Sequence, residues 1–349
     1  MTGSETPSDA PAPDEGQTPR LPARLEDRFH QFRERRARKR GLTPTVIPYT
    51  QYGSTTWIRV LSRVLLARPG ASDDIRYKKI RGWRSFTSVP VGDAAVLVGI
   101  DDVEHALTAD RGGVIDEVID VSLSPGWHTI TLRTEGSDPV KAPIFIVDPK
   151  ATIGLISDVD DTVMVTALPR PLVAAWNTFV LDEHARTPVA GMAVLFEKLV
   201  RDHPGSPVVY LSTGAWNVAP TLTRFLSRHL YPPGPLLLTD WGPTHDRLFR
   251  SGRAHKEESL LRLVGEFPHL QWILVGDDGQ NDEELYDSFS AAHPDRVAAI
   301  AIRQLSGGEA VLAGRRSKVQ KYGADSPVPW VRASDGAGLA DELDRLGLL

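Results

Sequence analysis

The chain has 349 residues, with 40 Lys and Arg against 45 Asp and Glu, a net charge of -5 and no cysteine. Disulfides and thiolate metal sites are therefore excluded, and no apolar run is long enough to cross a bilayer as a helix. An apolar content of 41% and a charged content of 24% are those of a globular chain with room for two cores.

Residues 1–22 are polar, rich in Pro, Asp and Glu, and lack the apolar centre of a signal peptide, so a disordered tail and a cytoplasmic protein are the expectation. Residues 23–42 read as a basic amphipathic helix, because Leu25, Phe29 and Phe32 fall on one helical face of a run ending Arg35-Arg36-Ala37-Arg38-Lys39-Arg40. Such a helix either lies on an anionic phospholipid surface through residues 24–40, making the protein peripheral on a membrane, or packs its apolar residues against the rest of the chain. The arginines have no companion nucleic-acid motif, and no nucleic-acid partner is expected.

From 45 to 148 the texture turns to short β segments: Thr56–Leu66, Ala94–Ile100, Val114–Val121, His128–Arg133 and Pro143–Val147. Turn signals such as Asp110-Arg111-Gly112-Gly113 and Ser124-Pro125-Gly126 separate them, which predicts a small all-β, immunoglobulin-like sandwich. Its Trp57, Trp83 and Trp127 serve either a ligand face or, more commonly, a buried core. Asp148-Pro149-Lys150 marks a boundary. The remainder, 150–349, alternates strands near Val208, Leu236, Ile273 and Val297–Ile302 with a helix near Pro188–Val200, then adds a strand at Val331 and a terminal helix. That is the pattern of a doubly wound parallel sheet.

Within this second domain, Ile153-Gly154-Leu155-Ile156-Ser157-Asp158-Val159-Asp160-Asp161-Thr162 is an apolar strand that stops in three aspartates. Strands of parallel sheets open at their carboxyl ends into the ligand crevice. Asp158 and Asp160 repel one another unless a divalent cation or a shared proton intervenes; the plainer alternative is a helix cap. A calcium loop is excluded, because Val163 stands where its glycine belongs and Pro169 where its glutamate belongs. Pro207 to Gly214 is a second buried strand ending in Ser212-Thr213-Gly214, a place for a phosphate oxygen or simply a turn. Lys256 falls near the start of a helix with Leu260, Leu261 and Leu263 on its buried face. Trp272 to Asp282 is a third strand, ending in Gly276-Asp277 with Asp282 five positions on.

Taken in this order, the four segments resemble the haloacid dehalogenase-like phosphohydrolases, whose motifs are DxDx(T/V), a strand-ending Ser or Thr, a Lys and GDxxxxD. A response-regulator receiver fits the spacing and order worse. With Trp216, Gly279 and the closing Ile300-Ala301-Ile302-Arg303, residues 150–305 are similar to the catalytic domain of the actin-patch-associated phosphatidate phosphatases, relatives of the lipins, and to their bacterial counterparts. The resemblance implies Mg2+ as cofactor, with Asp158, Asp160, Asp277 and Asp282 at the metal. It also implies Asp158 as nucleophile, Asp160 as acid and base, and Ser212 and Lys256 as phosphate holders.

Thr162, Thr213, Gly214, Trp216 and Arg303 complete the candidate substrate-binding set. Trp216 packs either on an acyl chain or in the core, and Arg303 meets either a head group or a nearby acid. His255 is a remote candidate for a second acid; His245, Asp246 and His255 lack zinc spacing. Residues Val163–Arg186, with Leu168, Pro169, Trp176, Phe179 and Val180, form either a small apolar flap or ordinary core, and a basic patch follows at Arg315, Arg316 and Lys318. The expected activity is Mg2+-dependent hydrolysis of phosphatidate, or a similar phospholipid, through an aspartyl-phosphate. A non-catalytic phosphatidate-binding module and a phosphatase of soluble monoesters are the alternatives.

Overall fold

The computed structural model describes residues 32–68, 89–165, 187–239, 248–279, 282–312 and 322–349. The expected tail, Leu25 and Phe29 of the basic segment, Trp83, the flap residues Leu168 to Val180, His245, Asp246 and the patch at Arg315, Arg316 and Lys318 lie outside them. Among the described residues no helix is long and apolar enough to cross a membrane.

The basic segment enters as a short helix, 32–38, in which Ala37 is buried while Phe32 is 60% exposed. Nine strands follow: β1 (Thr43–Pro48), β2 (Gln51–Gly53), β3 (Trp57–Ala67), β4 (Val89–Pro90), β5 (Ala95–Ile100), β6 (Val103–Thr108), β7 (Val114–Asp120), β8 (Gly126–Thr134) and β9 (Val140–Ile146). Every pairing is antiparallel except β2 with β9. Two separate sheets were expected here; hydrogen bonding instead joins all nine strands into one network, because β3 pairs with β1 and β2 and also with β4 and β7. β1 lies against β8 and β9 without pairing to them, so the sheet folds over on itself. The enclosed core follows the two-residue period of each strand: Val96 and Val98 from β5, Ile130 and Leu132 from β8, Ala142 and Ile144 from β9.

The second unit is a six-stranded parallel sheet of β10 (Ile153–Asp158), β13 (Val208–Ala215), β14 (Leu236–Thr239), β15 (Gln271–Asp277), β16 (Val297–Arg303) and β17 (Trp330–Ala333). A two-stranded ribbon of β11 (Met164–Val165) and β12 (Thr187–Pro188) stands beside it. The sheet order is β14-β13-β10-β15-β16-β17, so the chain winds outward from β10 in one direction, returns, and winds outward in the other. Right-handed crossovers then put helices on opposite faces, with a switch point between β10 and β15. The helix contacts agree: Met192–Asp202 meets Gly336–Arg345, and Leu248–Glu266 meets Asp282–Ala292. β10 and β14 are buried along their whole length, as strands covered on both sides must be.

Two expectations need correcting. Lys256 lies in the middle of the helix Leu248–Glu266, not near its start. In the same helix Leu260 and Leu263 are buried, whereas Leu261 is 45% exposed and faces away from the core.

The two units share a core. Tyr49, Tyr52, Leu61 and Val147 of the first pack in one cluster with Trp216, Phe267 and the parallel strands of the second. Charged groups tie the same seam: Arg59 reaches Glu266 at 2.6 Å and Asp116 at 2.6 Å, and Arg262 reaches Asp116 at 2.8 Å.

Candidate active site

Because β13, β10 and β15 are neighbours and run parallel, Ser212, Asp158 and Asp277 arrive together at their carboxyl ends. Beyond Asp158 the chain turns back on itself. Asp161 adopts a left-handed φ of 57° and donates its N–H to the Met164 carbonyl at 2.8 Å, while the Val163 N–H reaches the Val159 carbonyl at 3.0 Å. Asp can occupy this region at modest cost. Arg303, at the end of β16, donates from Nη1 to the Asp161 carbonyl at 2.7 Å and from Nη2 to Glu309 at 2.6 Å. The structure thus gives Arg303 the second of its two expected roles, pairing with an acid, and adds the support of the aspartate turn.

Lys256 crosses from its helix to the cluster, its Nζ 2.7 Å from Asp158 Oδ1 and 2.6 Å from Asp282 Oδ1. Burial by itself would lower the lysine pKa, but Asp158 and Asp282 raise it well above its ordinary value, so the group is a fixed cation. Burial pushes the Asp158 carboxyl up, Lys256 opposes the shift, and Asp282 and Asp160 add to it. Asp277 is raised in the same way by burial and then by Asp282, Asp158 and Asp161. Ser212 donates from Oγ to Asp160 Oδ2 at 3.2 Å and accepts the Gly214 N–H at 3.0 Å. Thr162 is buried with its hydroxyl unpaired. Glycine is required at Gly276, where a Cβ would come within 2.8 Å of the Tyr286 ring and 2.9 Å of the Asp282 Cβ. The Gly279 N–H reaches Asp277 Oδ1 at 2.5 Å.

The charges do not balance. Asp158, Asp160, Asp161, Asp277 and Asp282 are all buried here, against Lys256 and Arg303. One carboxylate oxygen from each of Asp158, Asp277 and Asp282 lies within 4.8 Å of the others. The Oδ2 atoms of Asp158 and Asp282 are buried without a hydrogen bond. Such atoms are costly unless something binds them. An all-carboxylate set suits a hard cation rather than zinc, which favours nitrogen and sulfur. Asp160 stands outside this triple and faces Ser212.

Trp216 is buried in the core, its ring stacked on Tyr49 at 4.6 Å with an interplanar angle of 21°. It borders a cavity of about 550 Å³ between the two units, lined also by Asp116, His255, Glu258 and Arg262 and by none of the clustered aspartates. Burial lowers the His255 pKa, and its Nε2 makes no hydrogen bond. Trp57 packs on Phe267 at 5.4 Å, and Trp127, itself 46% exposed, packs on Phe145 at 5.1 Å. Tyr49 and the support that Arg303 gives to Asp161 are additions to the expected site; both are contacts between residues far apart in sequence.

The fold and site define an α/β protein whose parallel sheet carries a buried carboxylate cluster, suited to a cation, at its topological switch point. Residues 153–304 match the family described as phosphatidate phosphatase APP1, catalytic domain. The chain is 28% identical over 246 residues to phosphatidate phosphatase APP1 of Saccharomyces cerevisiae, covering 66% of this chain and 41% of that protein. It is 26% identical over 155 residues to an uncharacterized protein of Schizosaccharomyces pombe, covering 44% and 25%. The chain therefore spans less than half the length of either relative. A solved structure of an uncharacterized protein from Listeria monocytogenes aligns with 57% of this chain and 99% of its own at 13% identity, with a TM-score of 0.35, too low to bear on the fold. The parallel-sheet segment is thus similar, over residues 153–304, to the APP1-like catalytic domain family.

Proposed function

We propose that this chain is a Mg2+-dependent phosphatase that hydrolyses phosphatidate, or a similar phospholipid monoester, through an aspartyl-phosphate on Asp158. The observation that carries the reading is the buried excess of carboxylate at Asp158, Asp277 and Asp282, with Lys256 bonded to two of the three. The strand order and the family match support a haloacid dehalogenase-like assignment for residues 150–349.

Held by Asp158, Asp277 and Asp282, Mg2+ would offset the charge that otherwise keeps a phosphate dianion away from a carboxylate. Lys256 opposes the upward shift that burial imposes on the Asp158 carboxyl and adds positive charge beside the phosphoryl oxygens. An oxygen of Asp158 attacks phosphorus in line, and the bond to the leaving oxygen breaks as Asp160 delivers a proton to it. Water then attacks the aspartyl-phosphate, passes a proton to Asp160, and releases phosphate with Asp158 restored. The Ser212 hydroxyl holds Asp160 in place for both transfers, and Thr162, Thr213 and Gly214 line the approach to the phosphoryl group.

The exposed Phe32 and the exposed Arg35, Arg36, Arg38, Lys39 and Arg40 support contact with an anionic phospholipid surface. Loss of sedimentation with anionic vesicles on Arg35→Glu with Arg36→Glu is the expected result, and unchanged sedimentation removes the membrane contact.

The catalytic reading is tested by phosphate release from phosphatidate in mixed micelles, with Mg2+ or with chelator, for the protein and for Asp158→Asn. Release that needs Mg2+ and falls by about a thousandfold or more in the variant is expected. Release from an aryl phosphate but not from phosphatidate moves the substrate to soluble monoesters. Silence on both substrates defeats the enzyme reading and leaves the binding module.

A further inference from the structure

We infer that Tyr49 is a positioning residue for the Ser212 segment, and that the nine-stranded unit is thereby a working part of the active site. The register between β13 and β14 shifts between Leu211 and Ala215, so the stretch that carries Ser212 lacks a regular ladder on that side. Side chains hold it instead. The Thr239 hydroxyl donates to the Thr213 carbonyl at 3.0 Å and the Gly214 carbonyl at 3.1 Å. At the far end Trp216 is clasped by Tyr49, whose ring stacks on the indole and whose hydroxyl donates to the Trp216 carbonyl at 3.3 Å.

Tyr49 is itself fixed by the first unit. Its N–H reaches the Leu61 carbonyl at 3.3 Å. Its carbonyl accepts from Nε2 of the fully buried Gln51 at 2.7 Å, and the same Nε2 donates to Leu61 at 2.8 Å. The folded-over sheet thus holds Trp216 through Tyr49, and the backbone from 212 to 216 joins that anchor to Ser212, which bonds Asp160. The helix carrying Lys256 is braced from the same side, through Glu266 to Arg59 and Tyr52. A small displacement of a catalytic group costs far more in turnover than in stability, so Tyr49 acts mainly on rate.

For its kinetic readout this inference rests on the phosphatase reading, so a second readout independent of turnover accompanies it. In the full chain, Tyr49→Leu is expected to lower kcat on phosphatidate about tenfold with KM within about twofold, and Tyr49→Phe, which keeps the ring, to recover most of the loss. Amide hydrogen exchange over 212–217 should quicken in Tyr49→Leu while exchange in β5 and β8 stays as in the parent. If the parent shows no phosphatase activity, the function proposed above fails, and the exchange pattern alone decides the role of Tyr49. A folded Tyr49→Leu with unchanged kcat and unchanged exchange overturns the inference, and so does exchange that quickens throughout the first unit, which marks a merely structural residue. Should Tyr49→Leu not fold, Trp216→Phe tests the same contact from the other side, and unchanged exchange over 212–217 there also overturns it.

Discussion

Two groups of charges in this molecule are built on opposite terms. At the seam between the units, Arg59 and Arg262 meet Asp116 and Glu266, cation for anion, with bonds of 2.6 to 2.8 Å. At the ends of β10 and β15, buried aspartates crowd around Lys256 and Arg303 and outnumber them. The balanced group satisfies itself and has the character of structure. The unbalanced one leaves the Oδ2 atoms of Asp158 and Asp282 buried without a hydrogen bond, and this is how a candidate site differs from a brace.

Removing a cation from the unbalanced group should have the largest effect. Lys256→Met leaves Asp158 and Asp282 facing each other without a counter-charge, and the variant should lose about 3 kcal/mol in urea unfolding along with its turnover. Glu266→Gln, which strips the balanced group of one anion and weakens the bond from the Tyr52 hydroxyl, should cost about 2 kcal/mol and spare Mg2+ binding measured by calorimetry. An equal loss of Mg2+ affinity in both variants would erase the distinction between the groups.

A smaller effect separates them by pH. Asp158 and Asp277 are raised above the ordinary value of 3.8, so between that value and their own the folded chain binds more protons than the unfolded chain. Stability attributable to them falls as pH rises through that window. Lys256 is raised too, but its contribution is lost only above the ordinary lysine range. In chelator-treated protein these two groups should therefore pull the unfolding midpoint down as pH rises above the ordinary carboxyl range, against the opposite pull of the lowered His255, so the midpoint of the parent should fall more steeply, or rise less, than that of Asp277→Asn, with Mg2+ abolishing the difference. Equal pH dependence in the two proteins would refute the surplus of charge. Smallest of all is the exposed pair of Arg133 and Glu104, 2.9 Å apart on the first unit: Glu104→Gln should change stability by less than about 0.5 kcal/mol.

Much of the parallel sheet is legible in sequence because its central strands are continuous apolar runs that end in Asp158, Ser212 and Asp277. The first unit hides more. β1 contains two prolines, β2 is three residues long, and β6 presents Val103 and its neighbours largely to solvent, so none carries a clean alternating signal. Lys256 looks like the start of a helix because Arg250-Ser251-Gly252-Arg253 offers no apolar face, yet the helix has already begun at Leu248. The pairing of Tyr49 with Trp216 spans 167 positions, and no local pattern can announce a contact that only tertiary folding creates.

Gln51 carries a last consequence, one that concerns how the sequence can drift. Its amide bonds the Tyr49 and Leu61 carbonyls from Nε2 and accepts the Leu61 N–H at Oε1, standing in for the strand neighbour that the break between β1 and β2 leaves out. Glutamate has the same shape but no donors, and asparagine is one carbon too short, so among descendants of this chain position 51 should be nearly frozen. Where it does change, the break between β1 and β2 should heal or move in the same lineage, and Tyr49 and Trp216 should change with it.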